Sequence, residues 1–181
     1  MEEQEITRML TTRRIILNWS QTIMHYYLPV ILLIMNAIFF YGIFISPWGI
    51  SKPYKFEFFG VTATLNLILF IYQFRALKFT QVSTELDHAV VMQLIKKSEQ
   101  ENNWIPILSD SKLYVAKIRP RFSFGNFGEQ ITIIVQPGFV LFNSIGDPDQ
   151  NPSLSALGRN KKPLRSFMRN ISAYKTATNT T

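Results

Sequence analysis

The chain has 181 residues, of which 47% are hydrophobic, and its formal net charge is +7. It contains no cysteine, which excludes disulfides, thiolate nucleophiles and cysteine-bound zinc or iron–sulfur sites. The positive charge is unevenly distributed along the chain, so the positions of the cations are more informative than their total.

The N-terminal leader, residues 1–21, begins acidic and becomes basic. Its charged residues are, in order, Glu2, Glu3, Glu5, Arg8, Arg13 and Arg14. Its apolar residues recur at partly helical spacing, which indicates a helix. Two placements of this helix remain open. In one placement it lies in the membrane interface with Trp19 at headgroup depth; in the other it extends the first membrane helix outward.

Two apolar runs, Tyr26–Ile45 and Phe58–Phe74, predict a transmembrane helical hairpin over residues 22–82. As helices they would reach roughly 30 Å and 26 Å, against a hydrocarbon core of about 30 Å. The connecting stretch Ser46–Pro53 contains two prolines and a glycine, which stop helices. A secretory signal is the rival interpretation of the first run. Its length, the acidic leader and the lack of an A-x-A cleavage site argue against that.

Cations are more frequent on the terminal side of the hairpin than in its connecting loop. The terminal side carries Arg8, Arg13, Arg14, Arg75 and Lys78, whereas the loop carries Lys52 and Lys55. By the positive-inside rule, both termini are predicted to be cytoplasmic.

Asn36 and Asn66 interrupt the two apolar runs. In a hairpin folded about Ser51 they fall at equal depth, near the centre of the bilayer. An amide at that depth is costly unless it forms a hydrogen bond, often to another helix. An ion or proton pathway is the alternative, but asparagine does not titrate and no ionisable residue accompanies the pair. We interpret both as helix–helix contacts.

Residues 83–172 are predicted to form a small cytoplasmic α+β domain, with residues 173–181 as a flexible tail. A capping box at Thr84–Asp87 opens its first helix. The predicted strands are Trp104–Leu108, Leu113–Ile118, Gln130–Val135 and Phe139–Ser144. The last helix is expected to bury Leu164, Phe167, Met168 and Ile171. The fold class is therefore an α+β membrane protein: a helical hairpin followed by a helix, about four antiparallel strands and a helix.

A search for catalytic groups finds no plausible set. His88 stands beside Asp87 on a helix, without the G-x-S-x-G context of a serine hydrolase, and His25 lies at the membrane boundary. Asp147 and Asp149 do not follow the EF-hand pattern and are interpreted as turn residues. No nucleotide-binding motif occurs. We predict a protein that is not an enzyme and has no cofactor or metal site.

The C-terminal region is rich in cations, with no acidic residue between Arg159 and Lys175. The predicted anion- or lipid-binding residues are Lys117, Arg119, Arg121, Arg159, Lys161, Lys162 and Arg165. Lys161 and Lys162 stand at a helix start, where cations oppose the helix dipole unless an anion is bound. Binding to anionic lipid and a simple solvated surface both remain open. Nucleic acid is not expected, since no binding motif is present.

The segments Gly128–Val135, Val140–Ile145 and Gly158–Lys162 carry a resemblance. Together they resemble the C-terminal region of small uncharacterised bacterial two-span membrane proteins, which closes on a G-[KR]-N-K-K-type motif. The resemblance implies a bacterial origin and brings no activity or ligand with it.

The sequence therefore supports two hypotheses for function. In the first, the cytoplasmic domain of a membrane protein binds a protein partner or anionic lipid, as an accessory, scaffold or regulatory subunit. In the second, several hairpins assemble into an oligomeric effector or channel that is gated by a ligand of the domain. The number of copies in the assembly and ion conductance in liposomes would separate the two.

Overall fold

A computed structural model of the protein describes residues 3–42, 55–119, 128–149 and 161–178. Its helices are α1 (Glu3–Thr12), α2 (Trp19–Phe40), α3 (Lys55–Ala76), α4 (His88–Asn102) and α5 (Lys161–Thr178). Its strands are β1 (Thr80–Ser83), β2 (Trp104–Ser109), β3 (Leu113–Ile118), β4 (Glu129–Gln136) and β5 (Phe139–Gly146). The strands form one antiparallel sheet in the order β1-β5-β4-β3-β2, which confirms the α+β class.

Helices α2 and α3 form an antiparallel pair, and both are long and apolar enough to cross a membrane. Only 11% and 6% of their most apolar windows are buried within the protein. Helix α2 begins before the predicted apolar run because Asn18 and Gln21 form a capping box. The Asn18 side chain accepts from the Gln21 N–H at 2.8 Å, and the Gln21 side chain accepts from the Asn18 N–H at 3.2 Å. The predicted loop Ser46–Pro53 lies outside the described residues.

The sheet contains a strand that the sequence did not indicate. Strand β1 overlaps the end of the predicted hairpin segment, residues 22–82, and it pairs with β5 from Thr80↔Phe142 to Ser83↔Phe139. Its side chains are mostly exposed and show no apolar alternation, so the strand depends on its partner for stability. The sheet consequently begins at Thr80, with only residues 77–79 between it and the end of α3 at Ala76.

The boundaries of the other elements follow the sequence with local differences. The predicted capping box does not form, since α4 starts at His88 and Asp87 makes no side-chain cap. The turn between β4 and β5 places Gly138 at a φ of 83°, as the third position of a type II turn requires. Edge strand β2 has a register shift between Pro106 and Leu108 in its pairing with β3. Pro106 has no N–H and therefore cannot donate a hydrogen bond to the neighbouring strand. Helix α5 continues to Thr178, through most of the predicted tail.

One face of the sheet is covered by α4 and α5. Its buried residues include Val91, Ile95, Ile131, Ile133, Phe142 and Phe167. Met168, however, is 44% exposed, and Asn170 takes its place in the interface between the helices. The Asn170 amide donates to the Ser98 hydroxyl at 2.9 Å and to the Glu101 carboxylate at 3.0 Å. Because side chains of α4 accept both of these hydrogen bonds, the polar side chain of Asn170 can be buried between the helices.

The opposite face of the sheet has its own core, formed with α1 and the base of the hairpin. Its buried residues are Met9, Ile15, Leu77, Phe79, Leu113, Ile134, Leu141 and Ile145. Strands β4 and β5 are therefore buried on both faces, which makes the domain a three-layer arrangement. The leader, for which both predicted placements were in the membrane, instead covers the sheet.

The leader is a separate helix and not an extension of α2. Helix α1 ends at Thr12, and Arg13 has a φ of 52°, which turns the chain. The chain then pairs with the segment after α3: Ile15 N–H donates to the Leu77 carbonyl, and Phe79 N–H to the Arg13 carbonyl, both at 2.9 Å. This excludes the outward extension of the first membrane helix, and it places α1 against the sheet.

Candidate membrane-docking site at the base of the hairpin

Arg14 joins the leader to the end of α3. Its guanidinium carbon lies 3.6 Å from the centre of the Phe74 ring, and its Nη1 donates to the Phe74 carbonyl at 3.3 Å. The last carbonyls of a helix have no partner within that helix and carry partial negative charge. A cation over the ring and against a terminal carbonyl therefore stabilises this end of α3 in two ways.

Asn143 holds the exit of α3 against the sheet. Its side-chain nitrogen donates to the carbonyls of Ala76 and Lys78, both at 2.8 Å, and the residue is 5% exposed. Because Asn143 lies on β5, these bonds connect the middle of the sheet to the end of the hairpin. The sequence contained no signal for this contact, since one polar residue in an apolar strand is usually assigned to the outer face.

The start of α2 is attached to the sheet through Asp149. Gln21 donates from its side-chain nitrogen to one Asp149 oxygen at 2.9 Å, and Lys117 approaches the other at 2.8 Å. Deeper in the hairpin, the His25 Nε2 lies 3.0 Å from the Gln73 carbonyl and donates to it in the Nε2–H tautomer. The hairpin base is therefore bonded to the domain on both of its helices.

Lys117 has its charge matched within the protein. Its ammonium lies 2.9 Å from the carboxylate of Asp147, which is buried, and 2.8 Å from that of Asp149. Burial lowers the pKa of Lys117, but the bonds to Asp149 and Asp147 outweigh burial and raise it. The bonds from Lys117 and Gln21 hold the pKa of Asp149 below its ordinary value. Lys117 is thus not the unpaired anion-binding cation that the sequence suggested.

The two aspartates also act as turn residues, as the sequence indicated. The N–H of Asp149 donates to the Asp147 carboxylate at 3.0 Å, which is the geometry of an Asx-turn. Within the described ranges, no group of three or more histidine and acidic residues is placed to hold a metal ion.

One end of the sheet faces the hairpin, and we call it the hairpin-facing end. It is formed by the paired strand ends Trp104, Ile118, Glu129 and Gly146. Asp149 follows directly from this end and reaches α2. The exposed residue Arg119 follows Ile118 at the same end.

The start of α5 lies at the hairpin-facing end as well. The Asn102 side chain, two residues before β2, donates to the Ser166 hydroxyl at 3.0 Å, whereas Asn170 bonds to Ser98 one turn back along α4. Lys162 and Arg165 precede Ser166 and are exposed. These two cations therefore share this end of the domain with Arg119.

The other predicted cations are not described, and a further cation of α5, Arg169, is ion-paired. Arg121 and Arg159 lie outside the described residues, and the side chain of Lys161 is not described. Further along α5, Arg169 lies 3.6 Å from the Glu101 carboxylate in an exposed ion pair. Such exposed pairs contribute little to stability, so Arg169 remains available to other anions.

Asn36 and Asn66 both contact the opposite helix, but not each other. Thr62 donates to the Asn36 side-chain oxygen at 2.6 Å, and the Asn36 nitrogen donates to the Leu32 carbonyl at 2.9 Å. The partner of Asn36 is thus one helical turn away from Asn66, because the helices pair in a different register from the one expected for a fold about Ser51.

The Asn66 amide faces the backbone of α2 beside Pro29. One orientation of the amide satisfies both neighbours: the nitrogen donates to the Pro29 carbonyl at 3.1 Å, and the oxygen accepts from the Leu33 N–H at 3.2 Å. Proline inside a helix disturbs its hydrogen-bond ladder, and a side chain from a neighbouring helix can compensate. Asn66 thereby bonds to the turn of α2 that follows Pro29.

His88 has a structural contact at the opposite end of the domain. Its Nε2 bonds to the Ser111 carbonyl in the turn between β2 and β3. The start of α4 is thereby attached to that turn.

No known protein family, curated protein or solved structure matches the chain. The resemblance to small bacterial two-span proteins therefore stays a prediction.

Proposed function

We propose that the protein is a two-span inner-membrane protein with both termini in the cytoplasm. Its α+β domain acts as a non-enzymatic scaffold or regulatory module, which binds a protein partner or anionic lipid at the bilayer surface. The observation that carries the proposal is the combination of an apolar, uncovered hairpin with a domain that is bonded directly to its base.

The surface of the hairpin supports a place in the bilayer. Large apolar side chains project from both helices without cover from the other residues that the structure describes, including Leu33 at 61%, Ile38 at 64% and Val61 at 67% exposure. Soluble monomers rarely expose contiguous apolar patches of this kind. The side chains of Asn36 and Asn66 point toward the opposite helix and form hydrogen bonds within the hairpin. A polar group inside a bilayer needs such internal partners, because lipid tails offer none.

The attachment of the domain supports a role at the bilayer surface. The contacts of Arg14, Asn143 and Asp149 lie where the hairpin ends, so the domain is held beside the headgroups of a membrane-inserted hairpin. Arg119, Lys162 and Arg165 lie at the hairpin-facing end, near the headgroups or an acidic partner bound there. This arrangement suits a module whose binding surface is presented at the membrane.

The hydrogen bonds of the two histidines support a non-enzymatic role. His25 in the hairpin and His88 in the domain both bond to backbone carbonyls and lie far apart. General acid–base catalysis needs a base that is free to reach a reacting group, and in both histidines one ring nitrogen is already bonded to the backbone.

Extraction with alkaline carbonate and labelling with an impermeant thiol reagent test the proposal. We expect the protein to stay in the membrane fraction. In intact cells we expect Ser51→Cys to be labelled and Ser172→Cys to be protected, the native chain having no cysteine. Release by carbonate would overturn the membrane location, and labelling of Ser172→Cys alone would overturn the orientation.

A further inference from the structure

Four cations meet where the leader pairs with the segment after α3, and we call them the basic junction: Arg13, Arg14, Arg75 and Lys78. Arg14 and Lys78 are direct partners in an antiparallel bridge, so their side chains leave the same side of the paired backbone. Lys78 N–H donates to the Arg75 carbonyl at 3.0 Å, which places both residues in one turn. Like charges placed directly opposite each other are destabilising, unless an anion lies between or beside them.

The basic junction has no acidic partner in the described part of the protein. The ion pairs of the described residues involve other cations: they join Lys112 to Glu3, Lys117 to Asp147 and Asp149, and Arg169 to Glu101. Arg13, Arg75 and Lys78 are exposed, and Arg14 is directed onto Phe74. This differs from the network around Lys117, where two carboxylates of the same chain balance the cation.

The position of the basic junction suggests its ligand. The rings of Phe70 and Phe74 are stacked in the last turns of α3, and Arg75 follows Phe74 directly. On the other helix, Trp19 starts α2 with 79% exposure. Tryptophan at the end of an apolar helix is typical of the membrane–water interface. In a bilayer, the basic junction would lie at the depth of lipid phosphates.

We propose that Arg14, Arg75 and Lys78 bind the phosphate of an anionic phospholipid in the cytoplasmic leaflet. The inference rests on the two-span arrangement proposed above. The Arg14 guanidinium is already oriented by the Phe74 ring and carbonyl, and a guanidinium has five donors, so several remain for a phosphate. Arg75 and Lys78 add charge from an adjacent turn. An anionic headgroup would also relieve the repulsion between Arg14 and Lys78.

The lipid site is distinct from the cations that the sequence singled out. Arg119, Lys162 and Arg165 belong to the domain, whereas the basic junction belongs to the hairpin and its leader. In the sequence, the four cations served only to orient the hairpin. Their convergence depends on the pairing of Arg14 with Lys78, which are far apart in the chain.

Lipid retention by the purified full-length chain tests the inference. Native mass spectrometry from detergent would compare bound phosphatidylglycerol with bound phosphatidylcholine. We expect selective retention of phosphatidylglycerol, and a loss of about tenfold or more in affinity for R75Q/K78Q, since each cation near an anionic leaflet attracts it appreciably. R75K/K78R should keep the selectivity because it keeps the charge.

The matched control is K96Q/K97Q, which removes the same charge from exposed positions on α4 and should bind as the native chain does. Equal retention of both lipids, or an unchanged affinity in folded R75Q/K78Q, would overturn the lipid site. Competition by inorganic phosphate at the same concentration as the lipid would show that the site takes free phosphate, against the inference. A protein that resists carbonate yet shows no lipid selectivity would leave the two-span arrangement intact, whereas release by carbonate would overturn both.

Discussion

The two faces of the sheet are closed in different ways. The face under α4 and α5 is covered by helices of the same domain, through side chains such as Phe167 and Ile95. The opposite face is covered by α1 and by residues at the base of the hairpin, including Met9 and Phe79. A sheet buried on both faces needs both covers, so the domain and the hairpin are one folding unit.

The largest effect is expected from removing one cover entirely. A chain that starts at Ser83 lacks α1, most of β1 and the hairpin, and it exposes Ile134, Leu141 and Ile145 to water. We expect it to lose cooperative thermal unfolding and to bind a hydrophobic dye, measured by circular dichroism and fluorescence. Cooperative unfolding of this fragment at the temperature of the full chain would show that the second face does not need its cover.

Single substitutions compare the two faces more finely. Met9→Ala and Phe167→Ala each remove a fully buried side chain, and we expect losses of about 2–5 and 3–5 kcal/mol in the free energy of unfolding. Chemical denaturation of the full chain in detergent measures both. Met168→Ala is the control, since that side chain is 44% exposed and should change stability little. A neutral Met9→Ala would mean that α1 is dispensable.

A smaller effect is expected inside the hairpin. A double-mutant cycle with Asn36→Leu and Thr62→Val should give a coupling of about 0.6–2 kcal/mol, because the two side chains share a hydrogen bond. The cycle between Asn36 and Asn66 should give a smaller coupling, since neither amide contacts the other. If Asn36→Leu abolished a measured ion flux while the hairpin stayed assembled, its interpretation as a helix–helix contact would be wrong.

The smallest effect concerns the contact between Asp149 and Lys117, and it depends on pH. The pKa of Asp149 is lowered in the folded state, so its stabilisation is present above the unfolded pKa of about 3.9 and is lost as the pH falls through the folded value. Asp149→Asn should therefore cost at most about 1 kcal/mol at neutral pH, because the carboxylate is 47% exposed. The difference from the native chain should shrink below pH 4.

Urea or detergent unfolding of the native and Asp149→Asn chains at several pH values measures this difference. A constant difference across the acid range would show that the ionised carboxylate is not what stabilises the contact. Asp110→Asn, in the turn at the other end of the sheet, is the control for general changes in net charge.

The parts that could be predicted from the sequence are those with local patterns. The apolar runs of α2 and α3, the turn at Gly138 and the stripe of α5 each depend on residues close together in the chain. A helical or alternating pattern specifies which side of an element is apolar, whatever covers it later. Met168 marks the limit of such patterns, because a satisfied Asn170 occupies the buried position instead.

The sequence by itself determined the α+β class, two helices apolar enough to span a membrane, and the positions of the cations. Only the tertiary structure decided that α1 covers the sheet and that β1 exists. It also decided that Lys117 is ion-paired to aspartates of the same chain, and that Arg14 and Lys78 are brought together. These features join residues that are far apart, as Gln21 and Asp149 are at a separation of 128 positions. Local propensity carries no record of such partners, because burial and charge pairing are properties of the packed chain.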